Sequence, residues 1–332
     1  MNIDTIMKLI INQEEQDKGI LYKNMMNYKN FKEYSGEMSA VDLCDAIVEA
    51  KEIEIPEVRS ATKLLVDDLR DAILSSDILY YLQSKFTKSP HINERFSIFV
   101  FSDKYYAEKF LENNSVLGLE IVEVEKCKFE SMFTKFYDCG AEGVDYCNDA
   151  NSVMFGIEHF FLSDNYNRNL CSARLFNRVV LLTMQEIRNN DKQYDKKAEI
   201  ITLLKKNIIA EALTTSVLVP VVNTAGLESV EHQLINIPAN TQMNVATVTT
   251  QSGEVFFPVY TNTGEFRKGY LEGLKVASFS LISFVDFVYK TLKASPNVLG
   301  IIVNPASSNF AMTEPILDLI LGNATEKKNM AT

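Results

Sequence analysis

The segment Gly300-Ile301-Ile302-Val303-Asn304-Pro305 is a short apolar run that ends in a tight turn, and it predicts a buried strand. A second apolar run, Phe257-Pro258-Val259-Tyr260-Thr261, contains a proline that cannot donate a ladder hydrogen bond. Between the two runs the hydrophobic period alternates between helical and strand spacing. This pattern predicts a helix, a strand and a second helix before the final strand, and therefore an α+β fold.

A similar order of elements occurs earlier in the chain, after Val100-Phe101-Ser102. There a helix, strand, helix and strand lead to the polar turn at 148–152, as the later series leads to the turn at 304–308. Gly143 and Gly300 precede the last strand of each series, and we align Cys147 with Val303. Matched turns and glycines predict that the chain contains two related units.

The N-terminal region reads as helical, with Ser39 and Asp42 forming a capping-box-like start and a helix running from Val58 to Leu82. We divide the whole chain into five segments. They are a helical N-terminal segment 1–60, a diverged unit 61–165, a helical connector 166–199, a second unit 200–322 and a disordered tail 323–332.

The second unit resembles a known family. Its runs Leu218-Val219-Pro220-Val221, 257–261 and 300–305 together resemble the SseB N-terminal-domain family of bacteria. The first unit departs from this pattern, because Asp149 stands where the closing turn has a proline. The resemblance implies two SseB-like α+β units, with mixed sheets and flanking helices, in a bacterial cytoplasmic protein loosely linked to serine sensitivity. It implies no established catalytic residues.

Composition argues against several classes of function. The net charge of −11 repels phosphate backbones, so we expect no nucleic-acid partner. The five cysteines are irregularly spaced and only three histidines occur, which predicts reduced thiols and no metal site. The N-terminus has no export signal, and no apolar run is long enough to cross a bilayer, so we expect no membrane association and a cytoplasmic location.

Two chemical motifs are incomplete. The run 264–269 has the glycine spacing of a phosphate loop but lacks the lysine and hydroxyl residue that follow such a loop, so we predict no cofactor. Cys147 and His159 lie at the ends of neighbouring predicted strands and would be the nucleophile and base of a cysteine hydrolase, although no oxyanion motif accompanies them. We therefore predict no catalytic residues and keep this hydrolase as a remote alternative.

The closing turn is the strongest candidate for a binding site. Asn304 and Pro305 form either a structural Asx-type turn or a binding edge, with Tyr260 and Thr261 beside it. We take these four residues as candidate binding residues. The leading hypothesis is a non-enzymatic interaction or regulatory module with a protein partner, of unknown oligomeric state. The alternative is a sensor of a small amino-acid-like metabolite, with a pocket between the two units.

Overall fold

The computed structural model describes residues 38–51, 56–114, 118–148, 151–160, 173–188, 197–221, 233–234, 244–271, 278–292 and 294–330. Most of the predicted N-terminal helical segment, residues 1–37, lies outside this part. The described residues form helices and mixed sheets, so the predicted α+β class is confirmed.

The first unit begins with two helices and continues with a five-stranded sheet. Ser39 and Asp42 form the predicted capping box, with the Asp42 amide donating to Ser39 Oγ at 3.2 Å. The elements are α1 Ala40–Lys51, α2 Pro56–Ser75, β1 Ile78–Ser84, β2 Ser97–Phe101, α3 Lys104–Asn113, β3 Leu119–Glu125, α4 Phe129–Asp138, β4 Gly143–Asn148 and β5 Asn151–Gly156. The strand order is β3-β1-β2-β4-β5, and of its neighbouring pairs β2 and β4 are parallel while the others are antiparallel.

The second unit also begins with two helices. Its elements are α5 Arg174–Arg188, α6 Lys197–Ala212, β6 Ser216–Val221, β7 Gln233–Leu234, β8 Val248–Thr249, β9 Val255–Val259, α7 Thr263–Leu271, β10 Ser278–Ser283, α8 Phe284–Phe287, a π-helical turn Val288–Leu292, β11 Gly300–Val303, β12 Phe310–Thr313 and α9 Glu314–Met330. β6 is antiparallel to β10, β9 is parallel to β11, and β11 is antiparallel to β12. An antiparallel bridge between Leu218 and Tyr260 joins β6 to β9.

The two units share one order of strands. The second unit has two sheets, β6-β10-β7 and β12-β11-β9-β8; joined through the bridge at Leu218 and without β7 and β8, they read β10-β6-β9-β11-β12, which matches β3-β1-β2-β4-β5 in order and in the direction of every pair. The helix pairs α1–α2 and α5–α6 precede the two series in the same way. This agreement supports the prediction that the units are related, and it extends the repeat to include α1 and α5.

Helix α5 packs into both cores. Phe176 and Val180 lie in the core of the second unit, whereas Leu181 lies in the core of the first. Arg174 and Arg178 donate to the carbonyls of Ala141 and Gly140 just after α4. The predicted connector 166–199 is thus, over its described residues, mainly the opening helix of the second unit.

The structure differs from the sequence prediction at three elements. The helix predicted to reach Leu82 ends at Ser75, because the apolar run from Ile78 can bury both faces only as the strand β1. Strand β12 is absent from the prediction. The predicted disordered tail is helical to Met330, since no glycine or proline after Gly322 interrupts the helix.

The aligned register of the two units also needs correction by one residue. Gly143 pairs with Ser97 and Gly300 with Phe256, so these two glycines are equivalent. Counting from them, Val303 corresponds to Tyr146, and Cys147 corresponds to Asn304. Position 145 then corresponds to position 302.

No helix in the described part of the chain is long and apolar enough to cross a bilayer.

Candidate functional site

Asn304 follows β11 and forms hydrogen bonds to neighbouring segments in the protein interior. The residue is buried and adopts a left-handed φ of 48°, which asparagine tolerates better than most residues. Its Oδ1 accepts from the Thr261 amide at 3.0 Å, and its Nδ2 donates to Asn177 Oδ1 on α5 at 3.1 Å. This geometry supports the structural interpretation of the turn.

The other three predicted binding residues surround Asn304. Tyr260 and Thr261 are buried, and the Tyr260 ring packs edge-on against Phe266 with centroids 5.2 Å apart. Pro305 is half-buried. The structure therefore brings the four residues together, but three of them face the interior. Their role in binding stays a prediction.

The predicted cysteine–histidine pair lacks the character of a nucleophile and its base. Cys147 is buried on the α3 side of the first sheet, and burial is the main cause that raises the pKa of its thiol. A thiol of raised pKa is a poor nucleophile at neutral pH. His159 is exposed in the turn after β5. This arrangement gives the hydrolase alternative no support.

A cavity of about 610 Å³ opens on the α3 side of the first sheet. The loop between β1 and β2 forms much of its wall, α3 contributes Phe110, and β4 contributes Asp145. The helices of the second unit complete it, with Leu182, Gln185 and Glu186 from α5 and Leu204 from α6. The cavity thus lies where the two units meet. Its volume is in the range of small-molecule sites.

Four buried polar atoms that line this cavity have no hydrogen-bond partner among the described residues. They are His91 Nδ1, Asp145 Oδ1, Gln185 Nε2 and Glu186 Oε1. An unsatisfied buried polar atom costs about 1–3 kcal/mol, and native proteins contain few of them. Their convergence on one cavity distinguishes this site from the rest of the described molecule.

Asp145 is the central residue of the site. It lies in the middle of β4 and is only 1% exposed. Its Oδ2 lies 3.3 Å from Asn93 Nδ2, 3.4 Å from Ser97 Oγ and 3.6 Å from Arg95 Nη1. These contacts fix the carboxylate through Oδ2 and leave its buried Oδ1 without a hydrogen-bond partner among the described residues.

Aromatic rings and a neutral imidazole form another part of the wall. Phe99 and Phe110 pack with ring centroids 4.7 Å apart, and the more exposed rings of Phe86 and Phe96 also line the cavity. Burial lowers the pKa of His91 to about 4, so its imidazole is neutral at pH 7. A neutral imidazole offers one donor and one acceptor nitrogen.

Comparison with protein families identifies a family that matches the second unit. Residues 203–315 match the model of the SseB protein N-terminal domain. The resemblance to SseB is confirmed. Comparison with curated proteins and with solved structures gives no match.

The matched SseB domain contains the Asn304 turn but almost none of the cavity. Among the residues that line the cavity, only Leu204 falls within 203–315. At the position equivalent to Asp145 the SseB domain has Ile302, and at the position of Ser97 it has Phe256. The first unit therefore has a carboxylate and a hydroxyl where the second has apolar side chains.

The sequence suggested a pocket between the two units as an alternative, but none of the candidate residues named from it lines this cavity. One signal was present, since Asp145 is a charged residue inside the short strand Val144–Cys147, whose other members are apolar or aromatic. A carboxylate within a buried strand needs partners and is a reason to look for a site. The contributions of Gln185 and Glu186 depend on how α5 docks, which spacing alone does not reveal.

Proposed function

We propose that this protein is a non-enzymatic regulatory module of the bacterial cytoplasm that binds a small polar molecule in the cavity at Asp145. The observation that supports the proposal most is the carboxylate of Asp145, which is buried, held on one oxygen and unpartnered on the other. A ligand that supplies the missing hydrogen bonds would remove the cost of leaving these groups unsatisfied.

The position of the cavity favours regulation over simple storage. Gln185 and Glu186 reach it from α5, and Asn177 of the same helix bonds to Asn304 in the SseB domain. A ligand that contacts α5 would bind better to one arrangement of the two units than to another, which is what a population shift requires. The SseB domain would then present the altered surface to the protein partner expected from the sequence.

The proposal is tested by a thermal-shift screen of cationic, neutral and anionic metabolites. A ligand present at a hundredfold excess over its dissociation constant would stabilise the folded chain by about 2.7 kcal/mol. We expect at least one class to raise the melting temperature of the wild-type protein and to leave that of Asp145→Ile unchanged, because this variant carries the side chain of the equivalent SseB position.

Ile302→Val is the matched control, since it alters the equivalent position without touching the cavity. The control is expected to respond like the wild-type protein. Failure of all three ligand classes to shift the wild-type protein, or an undiminished shift in Asp145→Ile, would refute the proposal.

A further inference from the structure

The chemistry of the cavity restricts its ligand further. Asp145 Oδ1 and Glu186 Oε1 are carboxylate oxygens, which can only accept hydrogen bonds. His91 adds a neutral imidazole nitrogen, and Gln185 adds an amide that is the one dedicated donor among the four unpartnered groups. The unpartnered atoms therefore favour a ligand that mainly donates hydrogen bonds.

The charged residues that line the cavity also favour a ligand that donates, and in particular a cation. Its charged lining residues are the three carboxylates of Glu94, Asp145 and Glu186 and the single cation of Arg95. The Arg95 side chain is 58% exposed and approaches the already bonded oxygen of Asp145, at 3.6 Å. An anionic ligand would face a net negative wall, whereas a cation would compensate a buried charge.

The apolar walls suit the same ligand. Phe86, Phe96, Phe99 and Phe110 present aromatic rings to the cavity, and ring faces attract organic cations. The ring of Phe96 already shows this preference, because the Arg178 guanidinium carbon lies 4.2 Å from its centroid. Aromatic rings beside carboxylates favour a cation with an apolar body over a strongly hydrated metal ion. Among the residues that the structure describes, no group of three or more His, Cys, Asp and Glu side chains is placed to hold a metal.

We propose that the cavity binds a small organic cation, a protonated amine with an apolar body, whose N–H groups donate to the unpartnered carboxylate oxygens. This inference rests on the proposed function and specifies the class of its ligand. Asp145 supplies the buried negative charge, Glu186 brings a second carboxylate from α5, and the aromatic walls hold the apolar body.

The test uses three probes of equal length that differ in charge. Pentylamine, pentanol and pentanoate are titrated into the full chain by calorimetry, and their effects on the melting temperature are compared. We expect pentylamine to bind and to raise the melting temperature, while pentanol and pentanoate have little effect. Asp145→Asn and Glu186→Gln, which keep the shape of each side chain, should each weaken pentylamine binding about tenfold or more, equivalent to about 1.4 kcal/mol.

Glu108→Gln provides the matched control for charge. Glu108 lies on the exposed face of α3, where its partner is Lys104 at 3.5 Å, and it does not line the cavity. Its substitution removes the same charge and is expected to change pentylamine binding by less than about twofold. Melting curves of each variant without ligand establish that the fold is retained.

Different failures separate the two proposals. If pentanoate or pentanol binds the wild-type protein and loses affinity in Asp145→Ile, the cavity is a ligand site but its ligand is not a cation. If Mg²⁺ or Zn²⁺ alone raises the melting temperature and this effect depends on Asp145, the proposal of an organic cation is likewise wrong. If no probe or metabolite binds, both the inference and the proposed function fail.

Discussion

The two units share an order of strands, and one buried position in their sheets shows how they differ. In the first unit β4 places Asp145 beside Phe99 of β2, and in the second β11 places Ile302 beside Pro258 of β9. Both residues are buried. The same backbone thus surrounds a carboxylate in one unit and a branched alkyl group in the other.

This difference shows what each unit contributes. Around Asp145 the loop before β2 provides Asn93 and Arg95, and the start of β2 provides Ser97, as partners for one carboxylate oxygen, while the other oxygen has no partner among the described residues. Around Ile302 the equivalent of Ser97 is Phe256, and the residue paired with Ile302 on β9 is Pro258. The SseB domain is built for packing at this position, whereas the first unit retains an unsatisfied group there, as functional sites often do.

Ile302→Asp should produce the largest loss of stability. The new carboxylate would lie at a position that is 6% exposed, without equivalents of Asn93, Arg95 or Ser97. A buried, unpaired charge should lower the free energy of unfolding by about 4 kcal/mol or more. Urea denaturation followed by circular dichroism measures the loss. A loss below about 1 kcal/mol would mean that the two environments are not as different as their side chains indicate.

Gly143→Ala and Gly300→Ala test the equivalence of the two backbones. A Cβ at Gly143 would stand 2.5 Å from the carbonyl oxygen of Phe155, and one at Gly300 would collide with the carbonyl of Met312 in the same way. We expect each change to lower the free energy of unfolding by about 2–3 kcal/mol.

Gly322→Ala is the control for these two substitutions, because nothing lies within 4 Å of its added Cβ in helix α9. It should leave stability unchanged or slightly raised. A large loss of stability at only one of the two strand glycines would contradict the alignment of the two units.

Asn304→Ala should lower the free energy of unfolding by about 2 kcal/mol. It leaves the buried Thr261 amide and the Asn177 side chain without their partner and keeps a left-handed backbone at an alanine. Asn309→Ala separates these causes, because Asn309 has the same φ of 48° but an exposed side chain. Equal losses in thermal denaturation would show that backbone strain, and not the hydrogen-bond network, accounts for the effect.

His91 should make the stability of the chain depend on pH. The pKa of His91 is about 4 in the folded protein against 6.5 for an unperturbed histidine, because burial opposes the charged form. Between these values only the unfolded chain takes up the proton, so the free energy of unfolding should fall by about 1–2 kcal/mol as pH falls from about 7 to 5. Urea titrations across this range should show a shallower dependence in His91→Gln.

Asp145→Ile should have the smallest effect on stability. It removes a buried carboxylate with one unsatisfied oxygen and installs the side chain that the SseB domain uses, while Ser97 Oγ keeps its bond to Asn93 Oδ1 at 3.0 Å. We expect a change within about 1 kcal/mol in either direction, because removing a buried carboxylate with an unsatisfied oxygen offsets the cost of leaving the buried Asn93 Nδ2 without its acceptor. A loss like that expected for Ile302→Asp would indicate that Asp145 is a structural residue.

The sequence predicted those parts of the fold whose signals are local. The strand at Gly300–Val303 and the capping box of Ser39 both follow from short patterns, and the structure confirms them. The strand Ile78–Ser84 was read as the end of a helix, because a strand buried on both faces has no alternation to distinguish it from a buried helix.

The candidate site was beyond local patterns. Asp145 could have been noticed as a charge within an apolar strand, but Gln185 and Glu186 are ordinary polar residues on an amphipathic helix. They become part of a site only because α5 docks against the first unit through Arg174, Arg178 and Leu181. That docking depends on contacts between residues far apart in the chain, which a single sequence does not report.

The shared helix α5 has a consequence for how this protein can evolve. Its 15 residues contribute to two cores, to the wall of the cavity and, through Asn177, to the turn at Asn304, about 12 Å along the helix from Gln185. Recombination that joined the SseB domain to a new neighbour would have to cut before α5 or after it. The first cut would open the cavity, and the second would leave Asn304 without its partner. A separation of the two units at either end of α5 would therefore remove a contact that one of them uses.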